Sequence, residues 1–324
     1  MASLLVIGGS GFFGKSIADA YARQLFASWG IERLLLVARS VTALAKNHPE
    51  LVTQGVELID LDIAQTSQLP WADYVIHAAA STDARKYRMM PEVEKANLIA
   101  ATKNFCRLAP HDLVGSRIVY TSSGAVYGTQ DPSQPQFPED MSLNGSIAAL
   151  VENKRDYALA KRESELMIAR LGRRGMDVSI ARCFTFVGPY LPRNQHFAVG
   201  NFLDQGFSGQ AISVKASSPV VRSYLYADDL VIWLMNLVMR ATPVCPIWNI
   251  GSPEAIKIQD LAMLIAERFG VSVDTLLPQS KNPIDYYVPS VDRALAAGMK
   301  YLKLGEVIDQ TIKRIYALNK QFSP

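Results

Sequence analysis

The stretch that decides the fold lies at the start of the chain and reads Leu4-Leu5-Val6-Ile7-Gly8-Gly9-Ser10-Gly11-Phe12-Phe13-Gly14. Its four leading apolar residues predict a buried strand. The apolar residues after the glycines recur at helical spacing, at Ile17, Ala18, Tyr21 and Leu25. Glycines let the backbone turn sharply, and a helix N-terminus offers free N–H groups to an anion. The position of the turn favours a site for a dinucleotide pyrophosphate over an ordinary strand-to-helix turn.

The same alternation of strand and helix continues along the first half of the chain. Apolar runs predict further strands at 33–38, 56–59, 74–77, 117–120 and 178–183. Helical patterns lie between them, notably at 92–108 and 150–171. In the first of these helices the predicted buried stripe comprises Val93, Ala96, Ala100, Phe105 and Leu108, and Asn97 lies within it. This rhythm predicts an α/β fold with a Rossmann-type, doubly wound parallel sheet.

The pattern changes after Thr185, where glycines and prolines break the chain into short pieces. Helical patterns remain at 228–239 and 258–269, and a last one lies at 306–318. We therefore expect residues 1–184 to form a dinucleotide-binding domain, to which 225–252 return. Residues 185–324 would be mainly a smaller C-terminal lobe that binds substrate. Ligands of such sheets bind at the carboxyl ends of the strands, which this lobe would cover.

Composition excludes several classes of function. The net charge of the 324 residues is only +3, without a long basic run, so nucleic acid is not an expected partner. Three cysteines far apart in sequence predict neither a metal site nor disulfides. No apolar run reaches the 18 or so residues of a membrane span, and the N-terminus lacks a leader pattern, so we expect a cytoplasmic protein.

The end of the second predicted strand bears on the choice of cofactor. NAD-binding folds often place an acid there, which hydrogen-bonds the ribose hydroxyls, whereas this chain has Arg39. An arginine can pair with a 2′-phosphate, so NADP is expected rather than NAD. The alternative is a solvated arginine at a strand end.

Three residues have the chemistry needed to reduce a carbonyl. Tyr157 and Lys161 are four apart on a predicted helix and so share a face. A lysine ammonium beside a phenol is expected to lower the tyrosine pKa below its usual value of about 10. Ser123 ends a predicted strand, where its hydroxyl can hold a substrate oxygen. A tyrosine and a lysine at this spacing are common by chance, and the prediction depends on the dinucleotide turn in the same chain.

Taken together, these motifs resemble the extended short-chain dehydrogenase/reductases of the NAD-dependent epimerase/dehydratase family. The resemblance runs over most of the chain. It implies catalytic roles for Ser123, Tyr157 and Lys161, with the lysine also holding the nicotinamide ribose. In addition to Arg39, it implies cofactor contacts from the glycine motif and from four further segments: Gly8, Gly11, Phe12, Phe13, Gly14, Asp62, Ala78, Ala79, Ala80, Asn97, Tyr157 and Lys161.

The resemblance also implies substrate contacts. Arg222 matches the arginine that binds a nucleotide-sugar diphosphate, and Ser123, Thr185 and Asn201 fall at positions that contact substrate. Two departures matter. Gly124 and Ala125 follow Ser123, where 4,6-dehydratases have an acidic pair, so dehydration is disfavoured. Thr185 stands where the family often has asparagine.

These features predict a nucleotide-sugar 4-keto reductase or epimerase, in deoxysugar or O-antigen (lipopolysaccharide) biosynthesis, acting as a homodimer. The two activities share one set of catalytic residues. Arg39 favours the reductase, because it predicts NADP as the cofactor and a net reductase consumes NADPH. One alternative is a reductase of a non-sugar carbonyl, which would not need Arg222. The other is a non-catalytic dinucleotide sensor, which would not need Ser123, Tyr157 and Lys161.

Overall fold

The computed structural model describes residues 2–80, 84–130, 133–143, 147–148, 150, 152–193, 195, 197–216, 218–275 and 284–321. The chain forms two compact units. The first comprises 1–126, 150–183 and 231–248, and the second comprises 127–149, 184–230 and 249–324. Among the described residues, no helix combines the length and the apolar composition that a membrane crossing requires.

The strands, in chain order, are β1 Ala2–Ile7, β2 Ile31–Ala38, β3 Val56–Asp60, β4 Tyr74–His77, β5 Arg117–Ser123, β6 Asp177–Cys183, β7 Phe186–Val187, β8 Ile212–Val214, β9 Val220–Arg222, β10 Leu225–Tyr226, β11 Ile247–Ile250, β12 Ile256–Lys257, β13 Val273–Thr275 and β14 Asp285–Tyr287. The helices are α1 Phe12–Ala22, α2 Thr42–Asn47, α3 Ala84–Met89, α4 Pro91–Asp112, α5 Glu152–Arg173, α6 Ala198–Phe207, α7 Ala227–Met239, α8 Ile258–Phe269, α9 Asp292–Ala296 and α10 Leu304–Gln321.

The first unit is built on a seven-stranded sheet in the order β11-β6-β5-β4-β1-β2-β3. Strands β1 to β6 run parallel. The central strands are continuously apolar because helices cover both faces of such a sheet, and in β1 all residues from Ser3 to Ile7 are buried. The predicted Rossmann-type doubly wound sheet is confirmed. The strand order reverses between β1 and β4, which places a ligand crevice at their carboxyl ends.

Two predicted helical faces are wrong in detail. Helix α1 ends at Ala22, and Gln24 beyond it is left-handed with φ 60°, so Leu25 lies outside the helix. In α4 the predicted buried stripe included Val93, Ala96 and Ala100, which the structure exposes. The predicted Phe105 and Leu108 are buried, and the other apolar residues buried with them are Leu98 and Ala101. At 100° per residue, the face with Val93, Ala96 and Ala100 lies roughly 120° from the face with Leu98, Ala101, Phe105 and Leu108. The second of these faces packs on the core.

The second unit contains short strand pairs and longer helices. Strand β9 lies between β12 and β14, and β7 pairs with β10 and β8 with β13. The helix predicted over 258–269 is confirmed as α8. The last predicted helix is confirmed and extends over Leu304–Gln321.

Candidate active site

The glycine turn between β1 and α1 is shaped by two close approaches. Gly8 has φ +104°, and a Cβ atom there would lie 2.7 Å from the carbonyl oxygen of Ala78. A Cβ at Gly14 would overlap the backbone of Gly9. Only glycine fits at positions 8 and 14, so the turn brings the ends of β1 and β4 and the start of α1 together.

The space around this turn suits a dinucleotide pyrophosphate. Phe12 and Phe13 open α1, whose first turn contains no acidic residue and whose N-cap, Gly11, has no capping side chain. The N-terminal N–H groups are therefore open to an anion. Ala78, Ala79 and Ala80 follow β4 and are partly exposed, and their small side chains let a ligand lie against the backbone.

Asp60 and Asn104, neither of which was a candidate from the sequence, order the loops that follow β2 and β3. Asp60 Oδ1 accepts the N–H of Val41 at 2.7 Å and so fixes the turn after β2. Asn104 Nδ2 donates to the carbonyl oxygens of Ile63 and Thr66, both at 2.9 Å. The sequence signal for Asp60 was its position at the end of β3, directly beside Ala38 of β2.

Two of the predicted cofactor residues, Arg39 and Asp62, lie on these ordered loops, and a third, Asn97, lies on α4. Arg39 is exposed directly after β2. Asp62 is half-buried, and its Oδ1 accepts the N–H of Ala64 at 3.0 Å. Asn97, which the sequence placed within a buried stripe, is exposed on α4. That expectation is wrong because the core-facing side of α4 is the one that carries Leu98 and Ala101.

The catalytic candidates of the first unit lie together. Ser123 is the last residue of β5, and a hydrogen-bonding interaction of its hydroxyl with Tyr157 acts to lower the pKa of that phenol. Lys161 lies one turn further along α5 and is 2% exposed. Its Nζ donates to the carbonyl oxygen of Thr121 at 2.8 Å and to the Tyr120 hydroxyl at 3.4 Å, and it lies 6.0 Å from the centre of the Tyr157 ring.

Buried polar contacts hold α5, which carries Tyr157 and Lys161, against its neighbours. Arg182 of β6 forms a two-pronged ion pair with Glu165 of α5, at 3.0 Å from Nε to Oε1 and 2.8 Å from Nη2 to Oε2. The hydroxyls of Thr102 on α4 and Ser164 on α5 lie 3.1 Å apart. Paired in this way, the buried charges fix the register of α5 on the sheet.

The pKa of Tyr157 differs from the sequence expectation. Burial raises it above the usual value, while the Lys161 charge and the Ser123 hydrogen bond act in the lowering direction. The expected influence of the lysine is present, but the expected net direction is wrong. Desolvation of the phenolate outweighs the nearby charge, because a charged form loses more on burial than one ammonium about a helical turn away restores.

His77 shows what the same environment does to a base. It is fully buried at the end of β4, and its ring lies 4.7 Å from that of Phe105. Burial, and secondly the Lys161 charge, lower its pKa to about 3. Neither ring nitrogen has a hydrogen-bond partner within the described part of the chain. His77 is therefore a neutral packing residue near the cluster and adds no charge that competes with Lys161.

The substrate candidates of the second unit all contact neighbouring protein groups. The Thr185 hydroxyl donates to the carbonyl of Ser223. Asn201 Nδ2 donates to the carbonyl oxygen of Gln195 at 2.8 Å, while its Oδ1 is buried without a partner among the described residues. Arg222 donates from Nη2 to the Asp285 carboxylate at 2.8 Å and from Nη1 to the Asp285 carbonyl oxygen at 2.7 Å.

Comparison with known proteins places this fold and these motifs in a family. The model of the NAD dependent epimerase/dehydratase family matches residues 4–251. The chain therefore belongs to that family, as the resemblance in its sequence implied, and it is an enzyme of the NAD-dependent class.

Individual relatives and structures are similar at lower levels of identity. The chain is 27% identical to UDP-glucuronic acid decarboxylase 1 of Danio rerio over 99% of its own length and 75% of that protein. A UDP-N-acetylglucosamine 4-epimerase from Methanobrevibacter ruminantium M1 matches with TM-score 0.79 at 18% identity, over 98% of this chain and 99% of the other. The UDP-glucose 4-epimerase of Thermus thermophilus, solved with NAD, matches with TM-score 0.74 at 20% identity. The match covers 97% of this chain and 99% of the other. The structural likenesses show the fold.

Proposed function

We propose that the chain is a nucleotide-sugar 4-keto reductase or epimerase that works with a nicotinamide cofactor. The observation that carries the proposal is the cluster in which the buried ammonium of Lys161 lies 6.0 Å from the centre of the Tyr157 ring, with the Ser123 hydroxyl interacting with the same tyrosine. The relatives named above act on UDP-sugars, which supports the same substrate class for this chain.

The residues of the glycine turn fit the cofactor. The pyrophosphate would lie at the N-terminus of α1, whose N-cap Gly11 has no capping side chain and whose first turn has no acidic residue. The segments that would hold the remaining parts are the loop with Asp62, the alanines after β4, and Asn97, with Lys161 at the nicotinamide ribose. When bound, the nicotinamide supplies or accepts a hydride.

The side chains of the cluster would divide the work on the substrate. Ser123 holds the oxygen of the reacting carbonyl or alcohol. Tyr157 gives a proton to that oxygen as negative charge develops on it, or takes one in the reverse direction. Lys161 stabilises the phenolate form of Tyr157, because it opposes the effect of burial on the tyrosine pKa.

The finer assignment of the cofactor is NADP. Arg39 is exposed directly after β2, on a turn that the Asp60 carboxylate fixes. A guanidinium in that position would pair with a 2′-phosphate through charge-assisted hydrogen bonds. NADP supports the reductase over the epimerase, because an epimerase recycles one bound cofactor.

The two units would divide binding between them. We assign the cofactor to the first unit and the nucleotide diphosphate to the second, through Arg222, with Thr185 and Asn201 as further substrate contacts. Asn201 Oδ1, buried without a partner among the described residues, supports a ligand there. Thr185 already donates to Ser223, so its role would be to accept a hydrogen bond.

The biological setting is proposed from the same resemblance. We place the enzyme in the cytoplasm, in deoxysugar or O-antigen biosynthesis, and as a homodimer. Exposed apolar residues on α4 and α5 support the dimer, since Val93 is 50% and Leu166 58% exposed. A mass measurement in solution would test it.

A second candidate is decarboxylation of a UDP-uronic acid, and the observation that favours it is the similarity to the Danio rerio enzyme over nearly the whole chain. Oxidation at C4 of a hexuronate gives a β-keto acid, which loses CO₂ readily, so the same Tyr157 chemistry would serve.

One experiment separates the candidates. The purified protein is incubated with NADPH and a nucleotide-4-keto-6-deoxysugar, and separately with NAD and UDP-glucuronate. Net consumption of NADPH identifies a reductase, product without consumption an epimerase, and release of CO₂ from UDP-glucuronate a decarboxylase. If no nucleotide sugar is turned over in any reaction, the proposed function is wrong.

A further inference from the structure

The Tyr120 hydroxyl is a buried polar group that has no role in the chemistry above. Tyr120 lies on β5, three residues before Ser123, and is 1% exposed. Lys161 Nζ lies 3.4 Å from this hydroxyl and 4.9 Å from the centre of the same ring. A phenylalanine at position 120 would keep the ring beside the ammonium, so packing alone does not require the hydroxyl.

Two further hydroxyls lie behind Tyr120. Thr102 Oγ1 of α4 donates to the carbonyl oxygen of Leu98 at 3.1 Å, which uses its single proton. Ser164 Oγ of α5 lies 3.1 Å from Thr102 Oγ1 and must therefore be the donor of that pair. Burial raises the pKa of Tyr120 to about 12, and hydrogen-bonding interactions with Ser164 and Thr102 act in the lowering direction.

This use of protons leaves one arrangement for the Tyr120 hydroxyl. Because Ser164 and Thr102 have spent their own protons, they can only accept from the neutral phenol. The Tyr120 proton therefore points towards them, and an oxygen lone pair faces Lys161. The series of donors ends on the backbone carbonyl of Leu98, which has no proton to pass on, so it fixes the direction of each hydroxyl and carries no proton to solvent.

The ammonium of Lys161 has three N–H groups, and two of them have acceptors among the described residues. These acceptors are the carbonyl oxygen of Thr121 at 2.8 Å and the Tyr120 hydroxyl at 3.4 Å. Both belong to consecutive residues of β5, so one strand restrains Nζ in two directions. In this position Nζ lies 6.0 Å from the centre of the Tyr157 ring, and the third N–H remains for the cofactor.

The other titratable groups around Lys161 and Tyr157 are neutral or already paired. They are His77 of β4, Tyr87 of α3, Cys106 of α4, Cys183 of β6, and Glu165 of α5 with its partner Arg182 of β6. Burial lowers the pKa of the histidine to about 3, raises that of each thiol to about 12 and raises that of the Tyr87 hydroxyl well above its usual value. Within the described part of the chain, the charge that acts on Tyr157 at neutral pH is therefore that of Lys161.

We propose that Tyr120 is a positioning residue, whose hydroxyl holds the Lys161 ammonium in place beside Tyr157 and the nicotinamide ribose. The proposal rests on the proposed function and adds a residue that acts on the chemistry only through Lys161. The effect of a charge on a neighbouring phenol falls with their separation, so an ammonium free to move acts less on Tyr157.

The test is the variant Tyr120→Phe, which removes the hydroxyl and keeps the ring. Lys161 lowers the pKa of Tyr157 against the effect of burial, so a weaker influence of the lysine lets that pKa rise. We expect the alkaline limb of the kcat profile to move to higher pH, by about half the shift that Lys161→Met gives. The value of kcat should fall about threefold, because the ammonium is less well placed, while KM stays within twofold. An alkaline limb that stays in place would overturn the proposal.

Two further variants separate positioning from stability. Tyr127→Phe makes the same chemical change at a fully buried hydroxyl, which donates to Asn249 Oδ1 at 2.8 Å. It should lower Tm and leave the alkaline limb unmoved. Thr102→Val removes an acceptor of the Tyr120 hydroxyl at a distance from Lys161, and it should move the limb in the same direction as Tyr120→Phe but by less. If Tyr127→Phe moves the limb as far as Tyr120→Phe does, the effect is general destabilisation and the positioning role is wrong.

A double-mutant cycle shows whether Tyr120 acts through the lysine. Lys161→Met should have the same alkaline limb with and without Tyr120→Phe, because the group that Tyr120 holds is absent from both proteins. A further shift in the double variant would mean that Tyr120 acts on Tyr157 directly, which contradicts the positioning role.

The Kd of NADPH, measured without a sugar, keeps this proposal apart from the proposed function. It should rise about threefold in Tyr120→Phe, because the lysine would hold the nicotinamide ribose less firmly, and stay unchanged in Tyr127→Phe. If wild type turns over no nucleotide sugar, the proposed function is wrong, and an unchanged Kd in Tyr120→Phe would then overturn the role of Tyr120 as well. If wild type turns over a nucleotide sugar and Tyr120→Phe matches it in pH profile and Kd, only the role of Tyr120 is wrong.

Discussion

Lys161 in the first unit and Arg222 in the second are both positive charges in candidate binding regions, but their partners differ. The hydrogen bonds of Lys161 go to a backbone carbonyl and a hydroxyl, which are neutral acceptors. Arg222 instead pairs with the Asp285 carboxylate at 2.8 Å. The positive charge of the lysine is therefore not neutralised by a carboxylate and can act on Tyr157. The charge of the arginine is largely neutralised by Asp285, so Arg222 would have to share or leave that partner to bind a diphosphate.

The largest expected effect tests the lysine side of this comparison. Tyr157→Phe should lose kcat by about a hundredfold or more, because the proton donor is removed at the reacting oxygen. Fold and cofactor affinity should persist, since the ring and its contact with Tyr87 remain. Steady-state kinetics with a cofactor titration provide the measurement. Turnover within a few-fold of wild type would reduce Tyr157 to a packing residue.

Removing the arginine tests the other side. Arg222→Ala should raise KM for a nucleotide sugar by about thirtyfold, or about 2 kcal/mol, through loss of a charge-assisted contact, while NADPH affinity barely moves. Asp285→Asn is the matched control, because it releases Arg222 and should leave KM equal or lower it. If both variants lower Tm and neither changes KM, the pair is structural and the diphosphate binds elsewhere.

A smaller effect is expected when the buried charge itself is removed. Lys161→Met should cost about tenfold in kcat and move the alkaline limb of the rate profile to higher pH. The sign follows from the Tyr157 pKa: Lys161 lowers it against the effect of burial, so without the ammonium the pKa rises further. A pH profile of kcat for both proteins measures this. An alkaline limb that stays in place would show that Lys161 does not act through Tyr157.

The smallest effect concerns the exposed Arg39. Arg39→Ala should weaken NADP binding by about tenfold or less and leave NAD binding unchanged, because an exposed guanidinium is partly screened by solvent. Titrations of both cofactors into both proteins give the four affinities. Equal affinities for NAD and NADP in wild type would show that the missing acid after β2 is not replaced by this arginine.

Local patterns were enough to predict the sheet and to bring together most of the candidate residues around Tyr157. Gly8 and Gly14 act through backbone geometry within one turn, and Tyr157 and Lys161 share a helical face because four residues make about one turn. Patterns of this kind depend on neighbours in sequence. The buried side of α4 could not be predicted from the sequence pattern alone, because the helix carries apolar residues on two faces. Packing against the core determines that Leu98 and Ala101 are buried and that Val93 and Ala96 are exposed.

The sequence by itself therefore determined the doubly wound sheet, the glycine turn, and the pairing of Tyr157 with Lys161, because each is encoded by spacing along the chain. Tertiary structure alone decided that burial outweighs the lysine in the pKa of Tyr157. It also decided that Arg222 meets Asp285 from 63 residues away and that Tyr87 packs on Tyr157. The physical reason is that desolvation, ion pairing and ring contact depend on distance in space, which folding brings about between residues distant in sequence.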